Sequence, residues 1–388
     1  MADEIIPPLE APIDAQWPPD PPDGPQRPKS RWTKWIVGLG VVLTVVIVAG
    51  SLVRLPYTTL APGGALDLAP RVSVTGTKTY PDRSDVMMLF VRERARVNVW
   101  SWLQAKLDPQ IDLVKQKDIT GDNTQHEADL QDVCDMSQSQ DSARVAALNA
   151  LGYKVPAKPG LAVDSLPHGF DSGNPKTGTT VFHPLPAHKV LQPCDTILSA
   201  DGHVLKQPDD LSKIIHSHKV GSEVTLGIVR GGKKMTVKVP VVEGPEAPII
   251  GVNLALRYDV PLHVNINTSD ISGPSAGLAI TLAIIDALTP GQLTGGKKVA
   301  VTGTIDPLGN VGEIGGLPQK ALAARNAGAQ ILIVPRCGKT ETGCLEDVAT
   351  ARKRIGKGAV VKPVSTLAQA LAVLRDAGGA AIPTRTAA

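Results

Sequence analysis

Two short segments of this chain bring together residue types that can cleave an amide bond. Ser275 lies in the turn Gly273-Pro274-Ser275-Ala276-Gly277, and Lys320 follows the segment Gly315-Gly316-Leu317-Pro318-Gln319. A serine hydroxyl becomes an effective nucleophile only when a nearby base removes its proton, and a neutral lysine can act as that base. The sequence therefore predicts a Ser-Lys hydrolytic dyad.

The residues around Lys320 favour a lowered lysine pKa. Pro318 suits the first position of a helix, so Lys320 would lie in the first turn, where the positive end of the helix dipole disfavours an ammonium group. Leu317, Ala321 and Ala324 would form an apolar helix face, which implies a partly buried site. Both effects would lower the pKa of Lys320 from its usual ~10.4 toward neutrality.

The serine is followed by a segment, Ala276 to Leu288, that is apolar nearly all round and is therefore predicted to be a core helix. A helix that starts at Ser275 would direct free backbone N–H groups at the carbonyl under attack, as an oxyanion site requires. Gly273 and Gly277 allow close approach of a substrate. We expect Gly273 and Ala276 to support the site.

The G-x-S-x-G pattern also occurs in the nucleophile elbow of α/β-hydrolases, where the acid and the histidine follow the serine in the chain. Here the last histidine is His263, which precedes Ser275. His263 lies in an alternating segment, 263–267, where we predict a strand residue that faces solvent. A triad of the hydrolase order is therefore excluded, and a simple turn before a core helix remains the structural alternative.

From Ser272 to Pro335 the chain closely resembles the proteolytic domain of Lon-type serine proteases. The segments that resemble it are GPSAGL, VAVTGTIDPLGNVGEIGGLPQKALAARNAGA and ILIVP. The resemblance implies that Ser275 is the nucleophile, that Lys320 is the general base, and that Thr302 helps to position the lysine. It also implies a tendency to form rings, so another copy of this chain is one expected partner, in a homo-oligomer such as a hexamer.

The chain departs from the Lon pattern at two positions. Many members have an aspartate where this chain has Ser272, and many have a glutamate where it has Thr304. Asp270 could replace the missing aspartate as a polar partner, although a solvated loop carboxylate is the simpler interpretation. These departures leave open a second function, a binding or scaffold protein with an inactive protease domain.

A Lon protease also has an ATPase, for which the nearest candidate here is Gly291 to Lys298. This segment has the G-x-x-x-x-G-K spacing of a phosphate-binding loop but ends in lysine where a Mg²⁺-binding Ser or Thr belongs. It also leads into a predicted strand rather than a helix. We therefore expect no ATPase and no cofactor, and substrates that are already extended or unfolded.

The run from Ile36 to Val53 has no charged residue and approaches the length needed to span a bilayer, so we predict a transmembrane helix over 35–54. A cleaved signal peptide and a buried helix are the alternatives. Basic residues precede the run, which places the tail, 1–34, in the cytoplasm and the rest outside. The prolines and acidic residues of this tail predict disorder. The anchor makes membrane lipid an expected partner.

All four cysteines, Cys134, Cys194, Cys337 and Cys344, follow the predicted span, as expected for disulfides in an oxidising compartment. Cys337 and Cys344 bracket a short loop that could close locally, which leaves Cys134 to pair with Cys194. Free or buried thiols are the alternative. The spacing of cysteines and histidines does not indicate a metal site.

The segment 155–243 resembles a bacterial PDZ domain. Its order is strands, a helix from Pro208 to His218, and a hairpin around Gly231-Gly232. Leu191 to Ile197 replaces the common Leu-x-x-Gly-Asp-x-Ile, with Cys194 in place of the glycine. A PDZ groove binds extended peptides by adding a strand to a sheet edge. The sequence does not locate the loop that would hold a peptide carboxylate.

The whole chain, with its Pro56 to Gly63 segment after the anchor, resembles membrane-anchored PDZ-Lon proteins, also called YlbL-like. We therefore expect an α+β or α/β Lon-type proteolytic domain over 246–376, preceded by a β-rich PDZ domain and one N-terminal transmembrane helix. An extracytoplasmic region, 55–154, and a tail, 377–388, complete the 388 residues. The net charge of +3 and the few aromatic residues argue against nucleic-acid binding.

Overall fold

The computed structural model describes residues 31–80, 84–174, 179–268 and 271–383. Asp270 and nearly all of the predicted cytoplasmic tail lie outside these ranges. The chain divides into two compact units, 1–53 and 54–388. In the first unit, helix α1 (Arg31–Leu52) confirms the predicted helix, and its Lys34–Leu52 part is long and apolar enough to cross a membrane.

The segment 55–154 contains strands and helices that the sequence only partly predicts. Thr124 caps a long helix, α4, through a capping box with Glu127. The elements are β1 (Tyr57–Asp67), β2 (Val72–Thr75), β3 (Val86–Arg94), α2 (Val99–Leu107), β4 (Asp112–Lys115), α3 (Gln116–Thr120) and α4 (Gln125–Ala150).

The PDZ segment has the predicted helix and the predicted hairpin. Its elements are β5 (Ala157–Ser165), β6 (Gly169–Asn174), β7 (Thr179–Pro184), β8 (Thr196–Ala200), β9 (His203–Val204), α5 (Pro208–Ser217), β10 (Glu223–Arg230) and β11 (Lys233–Pro240). Leu211 and Ile215 of α5 are buried against this sheet, together with Leu226 and Ile228 of β10.

The C-terminal part alternates strands and helices, as expected. Its elements are β12 (Asn253–Tyr258), β13 (His263–Ile266), α6 (Gly277–Leu288), β14 (Val299–Val301), β15 (Thr304–Ile305), β16 (Val311–Gly312), α7 (Leu317–Asn326), β17 (Ile331–Pro335), α8 (Thr342–Ile355), β18 (Val360–Val364) and α9 (Leu367–Asp376).

One six-stranded sheet combines strands from both sides of the PDZ segment. Its order is β18-β17-β14-β3-β1-β4. Strand β14 runs parallel to β3, with Val299 opposite Val86, and β13 pairs with β2. The region 55–154 therefore shares its sheet with the segment that resembles a Lon protease, because β3 is a hydrogen-bonded neighbour of β14.

The PDZ segment is inserted into this mixed fold. Strand β12 lies in the range assigned by sequence to the protease domain, yet it pairs with β5 and is the last strand of the PDZ sheet. At the base of the insertion, the Asp259 N–H donates to the Pro156 carbonyl at 2.8 Å. The chain therefore enters and leaves the PDZ segment at nearly the same point.

Both predicted disulfide pairings are confirmed, and all four cysteines are bonded. Cys134 of α4 joins Cys194 of the PDZ segment, whereas Cys337 and Cys344 close a local loop. The backbone φ of Cys194 is +66°, in the left-handed region that favours glycine. This conformation explains why the common PDZ pattern has a glycine at that position.

Helix α6 is the predicted core helix, and nearly all of its residues are buried. Its buried carboxylate, Asp286, accepts hydrogen bonds from the backbone N–H and the hydroxyl of Ser84, at 2.8 and 2.5 Å. Leu278, Leu282 and Ile285 pack in the main hydrophobic core. The core and the carboxylate together fix the position of α6, at whose start Ser275 lies.

Candidate active site

Ser275 lies in a short 3-10 helix, Pro274–Ala276, that leads into α6. Its side chain is half-buried, while Ala276 and Gly277 behind it are buried. Gly277 is required here because a Cβ at that position would lie 2.9 Å from the Ser139 hydroxyl oxygen. The serine therefore lies at the edge of the core, with its peptide backbone held from behind.

The structure brings Lys320 to the serine, 45 residues away in sequence. The Lys320 Nζ atom lies 2.9 Å from the Ser275 Oγ atom, and the lysine is only 3% exposed. Burial lowers the pKa of Lys320 from 10.5 to about 7. A substantial fraction of this lysine is therefore neutral near pH 7 and can accept the serine proton.

Helix α7 positions the lysine. Gly316 precedes the helix with φ of +65°, and a Cβ there would lie 2.9 Å from a methyl group of Val91 in β3. Leu317, rather than Pro318, takes the first helical position, so the lysine is the fourth helical residue. The predicted apolar face of α7 is buried, and this packing accounts for the desolvation of the ammonium group.

Thr302 is fully buried and contacts the nucleophile segment. Its hydroxyl donates to the Ser275 carbonyl oxygen at 3.3 Å, and the Gly303 N–H donates to the same oxygen at 3.0 Å. The resemblance implied a contact with the lysine, but the contact found here is with the serine backbone. These two donors fix the peptide plane that follows Ser275.

Helix α4 adds contacts that sequence reasoning missed. The Ser139 hydroxyl donates to the Pro274 carbonyl at 2.9 Å, and the Gly273 N–H donates to the Asp132 carbonyl at 3.0 Å. The sequence signal for a helix in this region is the apolar part of α4 after residue 141. Asp132 and Ser139 both precede that part. The serine turn is thus held between α4 and the strand-turn segment at Thr302.

The other residues singled out in the sequence lie in places that fit their expected roles. His263 is exposed on β13, as predicted, and Ser272 is exposed beside the serine turn. Thr304 starts β15 and pairs with Gly312. The segment Gly291–Lys298 forms turns and continues into β14, so it does not lead into a helix.

Within the described ranges, one group of side chains has the spacing of a metal site, namely Glu313, Glu341 and Cys344. The Cys344 sulfur is bonded to Cys337, which leaves two exposed carboxyl groups. A hydrogen bond between these carboxyl groups raises the pKa of Glu313 and lowers that of Glu341. We assign no metal to this pair.

A second candidate site is a groove in the PDZ segment, between α5 and the edge strand β12. Leu211 and Ile215 of α5 form one wall, and residues 249–254 form the other. Gly251 has φ of +83°, and a Cβ there would lie 2.5 Å from the Leu185 side chain. The segment before β12 therefore packs closely against Leu185, which also lines the groove.

Comparisons with protein-family models identify both domains. Residues 249–374 match the Lon protease (S16) C-terminal proteolytic domain, and residues 177–241 match the PDZ domain. The chain therefore contains a Lon-type serine-protease domain and a PDZ domain in a mixed α/β fold. With the apolar helix α1, this combination is consistent with a membrane-anchored PDZ-Lon protein.

The curated relatives are Lon proteases. The Lon protease of Neorickettsia sennetsu is 35% identical over 113 residues, which cover 29% of this chain and 13% of the relative. Lon protease 1 of Herpetosiphon aurantiacus is 41% identical over 91 residues, 24% of this chain and 11% of that protein. The chain thus spans only a small part of the length of these relatives.

Among solved structures, the PDZ domain of an SdrC-like protein from Listeria monocytogenes is similar to 26% of this chain. The match covers 92% of that domain at 24% identity, with a TM-score of 0.20. The PDZ domain of the SdrC-like protein from Listeria innocua gives the same identity and TM-score over 24% of this chain.

Proposed function

We propose that this protein is a membrane-anchored, ATP-independent serine endopeptidase that hydrolyses extended or unfolded polypeptides with a Ser275–Lys320 dyad. The observation that supports this most directly is the 2.9 Å contact between Lys320 Nζ and Ser275 Oγ, with the lysine pKa lowered to about 7. Burying a lysine amine costs stability, so the position of Lys320 beside Ser275 favours a chemical role over a structural one.

In the first step, neutral Lys320 takes the hydroxyl proton while Ser275 Oγ attacks the peptide carbonyl carbon. The Lys320 ammonium then gives that proton to the leaving amine, the C–N bond breaks, and an acyl-enzyme remains on Ser275. Water attacks the ester next, with Lys320 accepting its proton. The lysine finally returns that proton to Ser275 Oγ as the carboxylic acid leaves.

The residues around the serine would have supporting roles. Thr302 and Gly303 fix the peptide plane after the nucleophile. We assign oxyanion stabilisation to main-chain N–H groups of the serine turn near Ala276, while Gly273, whose own N–H donates to the Asp132 carbonyl, shapes the turn. Preorganised donors of this kind stabilise the tetrahedral intermediate without further rearrangement.

The pH dependence of cleavage should follow the protonation of Lys320. With an uncharged peptide substrate, we expect kcat/KM to rise with pH through about 7 and then to level off, because only the neutral amine acts as base. The rate of Ser275 labelling by a serine-reactive probe should follow the same curve. A profile that stays flat from pH 5 to pH 9 would contradict a lysine base.

Recognition is assigned to the groove beside β12. An extended peptide could add to the free edge of this strand while its side chains contact Leu211 and Ile215. Because the groove and Ser275 belong to one chain, binding raises the effective concentration of the substrate at the serine. Long substrates should benefit more than short ones.

Excision of the inserted segment tests this division of roles. Because Asp259 and Pro156 are hydrogen-bonded, replacing residues 157–258 with two glycines should leave the sheet intact. Cys134 should be changed to serine in the same variant. We expect short peptides to be cleaved at nearly the normal rate, while kcat/KM for a long disordered protein falls at least ~10-fold.

The matched control for the excision is the full chain with Cys134→Ser and Cys194→Ser, which removes the same disulfide and keeps the groove. Equal losses in the two variants would assign the effect to the disulfide. Unchanged kinetics on the long substrate after excision would reject substrate selection by the PDZ groove.

For localisation, we propose that α1 spans the membrane with the N-terminus in the cytoplasm. Basic residues precede the uncharged run 36–53, and both disulfides lie after α1, as expected for an oxidising compartment. The absence of a helix after Gly291–Lys298 favours ATP independence. Together these features support a protease outside the cytoplasm, where it would act on already unfolded chains.

A serine-reactive probe that cannot cross membranes tests activity and orientation together. Added to intact cells without ATP, it should label Ser275, as mass spectrometry of the peptide would reveal. Labelling only after lysis would contradict the orientation but support the enzyme. Failure to label in both conditions, together with retained peptide binding, would support the scaffold alternative.

A further inference from the structure

Helix α2 exposes an apolar face that the proposed reaction does not use. Trp100 is 37% exposed, Leu103 42% and Leu107 77%. These residues are spaced three and four positions apart, so they lie on one side of the helix. Together with Gln104, Asp108 and Pro109 they line an open, mainly apolar groove. Exposed apolar patches of this kind mark interaction surfaces.

Hydrogen bonds attach the start of α2 to the point where the chain leaves α1. The Leu55 N–H donates to the Val97 carbonyl at 2.8 Å, and Arg54 forms a β-bridge with Asn98. Asn98 in turn caps α2, since its side-chain oxygen accepts from the Ser101 N–H at 2.8 Å. The apolar helix α1 ends at Leu52, so only Val53 separates its last residue from Arg54.

Several basic residues lie just before and within α2 in the chain. Arg54, Arg94 and Arg96 are exposed, and the Arg54 guanidinium donates to the Arg96 carbonyl at 3.4 Å. The Lys106 ammonium lies 5.8 Å from the centre of the Trp102 ring. The nearby Asp108 carboxylate accepts from the Gln110 N–H, which partly satisfies its charge. Tryptophan, leucine and basic side chains together are typical of helices at a lipid interface.

We infer that α2 lies in the headgroup region of the bilayer that α1 crosses, with Trp100, Leu103 and Leu107 inserted among the lipids. This inference rests on the proposed membrane anchor. If α1 spans the bilayer, Arg54 is at its surface, and the hydrogen bonds from Leu55 and Arg54 keep α2 there as well. The exposed arginines would then contact anionic headgroups.

A second contact between the soluble region and the bilayer has a functional consequence. A single flexible connection would let the protease rotate freely about residue 53. Insertion of α2 adds a second point of attachment, so the domain would hold one orientation relative to the membrane plane. Ser275 and the PDZ groove would therefore lie at a fixed height above the lipid surface.

Spin labels in the full chain test this inference. Because all four native cysteines are in disulfides, an introduced cysteine is the reactive thiol for labelling. We choose Leu107→Cys in α2, Val46→Cys in α1, and Val220→Cys as the exposed control in the PDZ segment. Each protein is placed singly in nanodiscs of phosphatidylcholine with about one-fifth phosphatidylglycerol.

The measured quantity is the accessibility of each label to oxygen, which enters lipid, relative to a nickel chelate, which stays in water. We expect the oxygen-to-nickel ratio at residues 46 and 107 to be several-fold higher than at residue 220. A high ratio at 46 with an aqueous ratio at 107 would overturn the α2 contact and leave the anchor intact. An aqueous ratio at 46 would reject the anchor and the inference together.

A second copy of the chain is the competing occupant of this face. If copies cover α2, residue 107 labels should show strong spin-spin coupling when several proteins share one nanodisc, and an aqueous ratio when one protein is alone. That result would overturn lipid contact. Leu103→Glu combined with Leu107→Cys supplies the matched variant, in which a charge on the same face should lower the oxygen-to-nickel ratio at 107.

Discussion

Replacing Lys320 with methionine is expected to abolish peptide cleavage and to make the protein more stable. Burial lowers the lysine pKa from 10.5 to about 7, so between these pH values the unfolded chain binds a proton that the folded protein does not. This difference destabilises the folded state by about 3 kcal/mol at pH 8, and by less as the pH rises toward 10.5. Methionine fills similar space without that cost.

Cleavage should fall by ~10⁴-fold or more in Lys320→Met, and equally in Ser275→Ala, because both members of a dyad act in the same step. The melting temperature at pH 8 should rise in Lys320→Met but change little in Ser275→Ala. Peptide assays and thermal unfolding measure the two effects separately. An inactive but stabilised variant cannot owe its loss of activity to unfolding.

Two surface changes provide the controls for the dyad. Ser272→Ala alters an exposed serine in the loop that contains Ser275. Lys339→Met removes an exposed lysine that follows β17. Both variants should cleave at the normal rate. Full activity in Ser275→Ala, or a Lys320→Met variant that cleaves normally, would reject the proposed chemistry.

The fragment 246–388 is expected not to fold by itself, although the Lon-type family match lies entirely within it. In the full chain, β14 has β3 as its parallel neighbour. Val86, Met88 and Leu89 of β3 are nearly fully buried in the core. Losing each such side chain costs roughly 1–5 kcal/mol, so their combined loss rivals the ~5–15 kcal/mol that stabilises a domain.

Circular dichroism and amide hydrogen exchange of the fragment should reveal little protected structure. Adding a separate chain of residues 54–156 supplies β1, β3, β4 and α4, so the mixture should recover protection at β14 and labelling of Ser275. A fragment that unfolds cooperatively by itself and reacts with the serine probe would contradict this view of the sheet.

The dyad could be predicted from the sequence because its determinants are local. Glycine and proline around Ser275 and Lys320 define the turns, and the apolar helices that follow predict burial. The contact itself crosses 45 residues, and the resemblance to Lon proteases strengthened the pairing of the two side chains that the motifs had suggested. The cysteine pairings could also be predicted, because the loop between Cys337 and Cys344 is short enough to close by itself.

The arrangement of the sheet could not be predicted in the same way. Strands β3 and β14 pair although the whole PDZ segment lies between them in the sequence. The sequence of neither strand specifies which strand it pairs with. The part of α4 before residue 141 is polar on several sides, and it contacts the PDZ segment through Cys134 and the serine turn through Ser139. The hydrophobic pattern of α4 therefore reflects contacts with two different neighbours rather than with one core.

The hydrogen bond between Asp259 and Pro156 also has an evolutionary consequence. Since the two ends of the PDZ segment are one hydrogen bond apart, a single recombination event there could add, remove or exchange a whole recognition domain. The strand register on either side would not change. Under the proposed function, a lineage could thus acquire a new set of target proteins while the proposed hydrolytic centre stayed under unchanged selection.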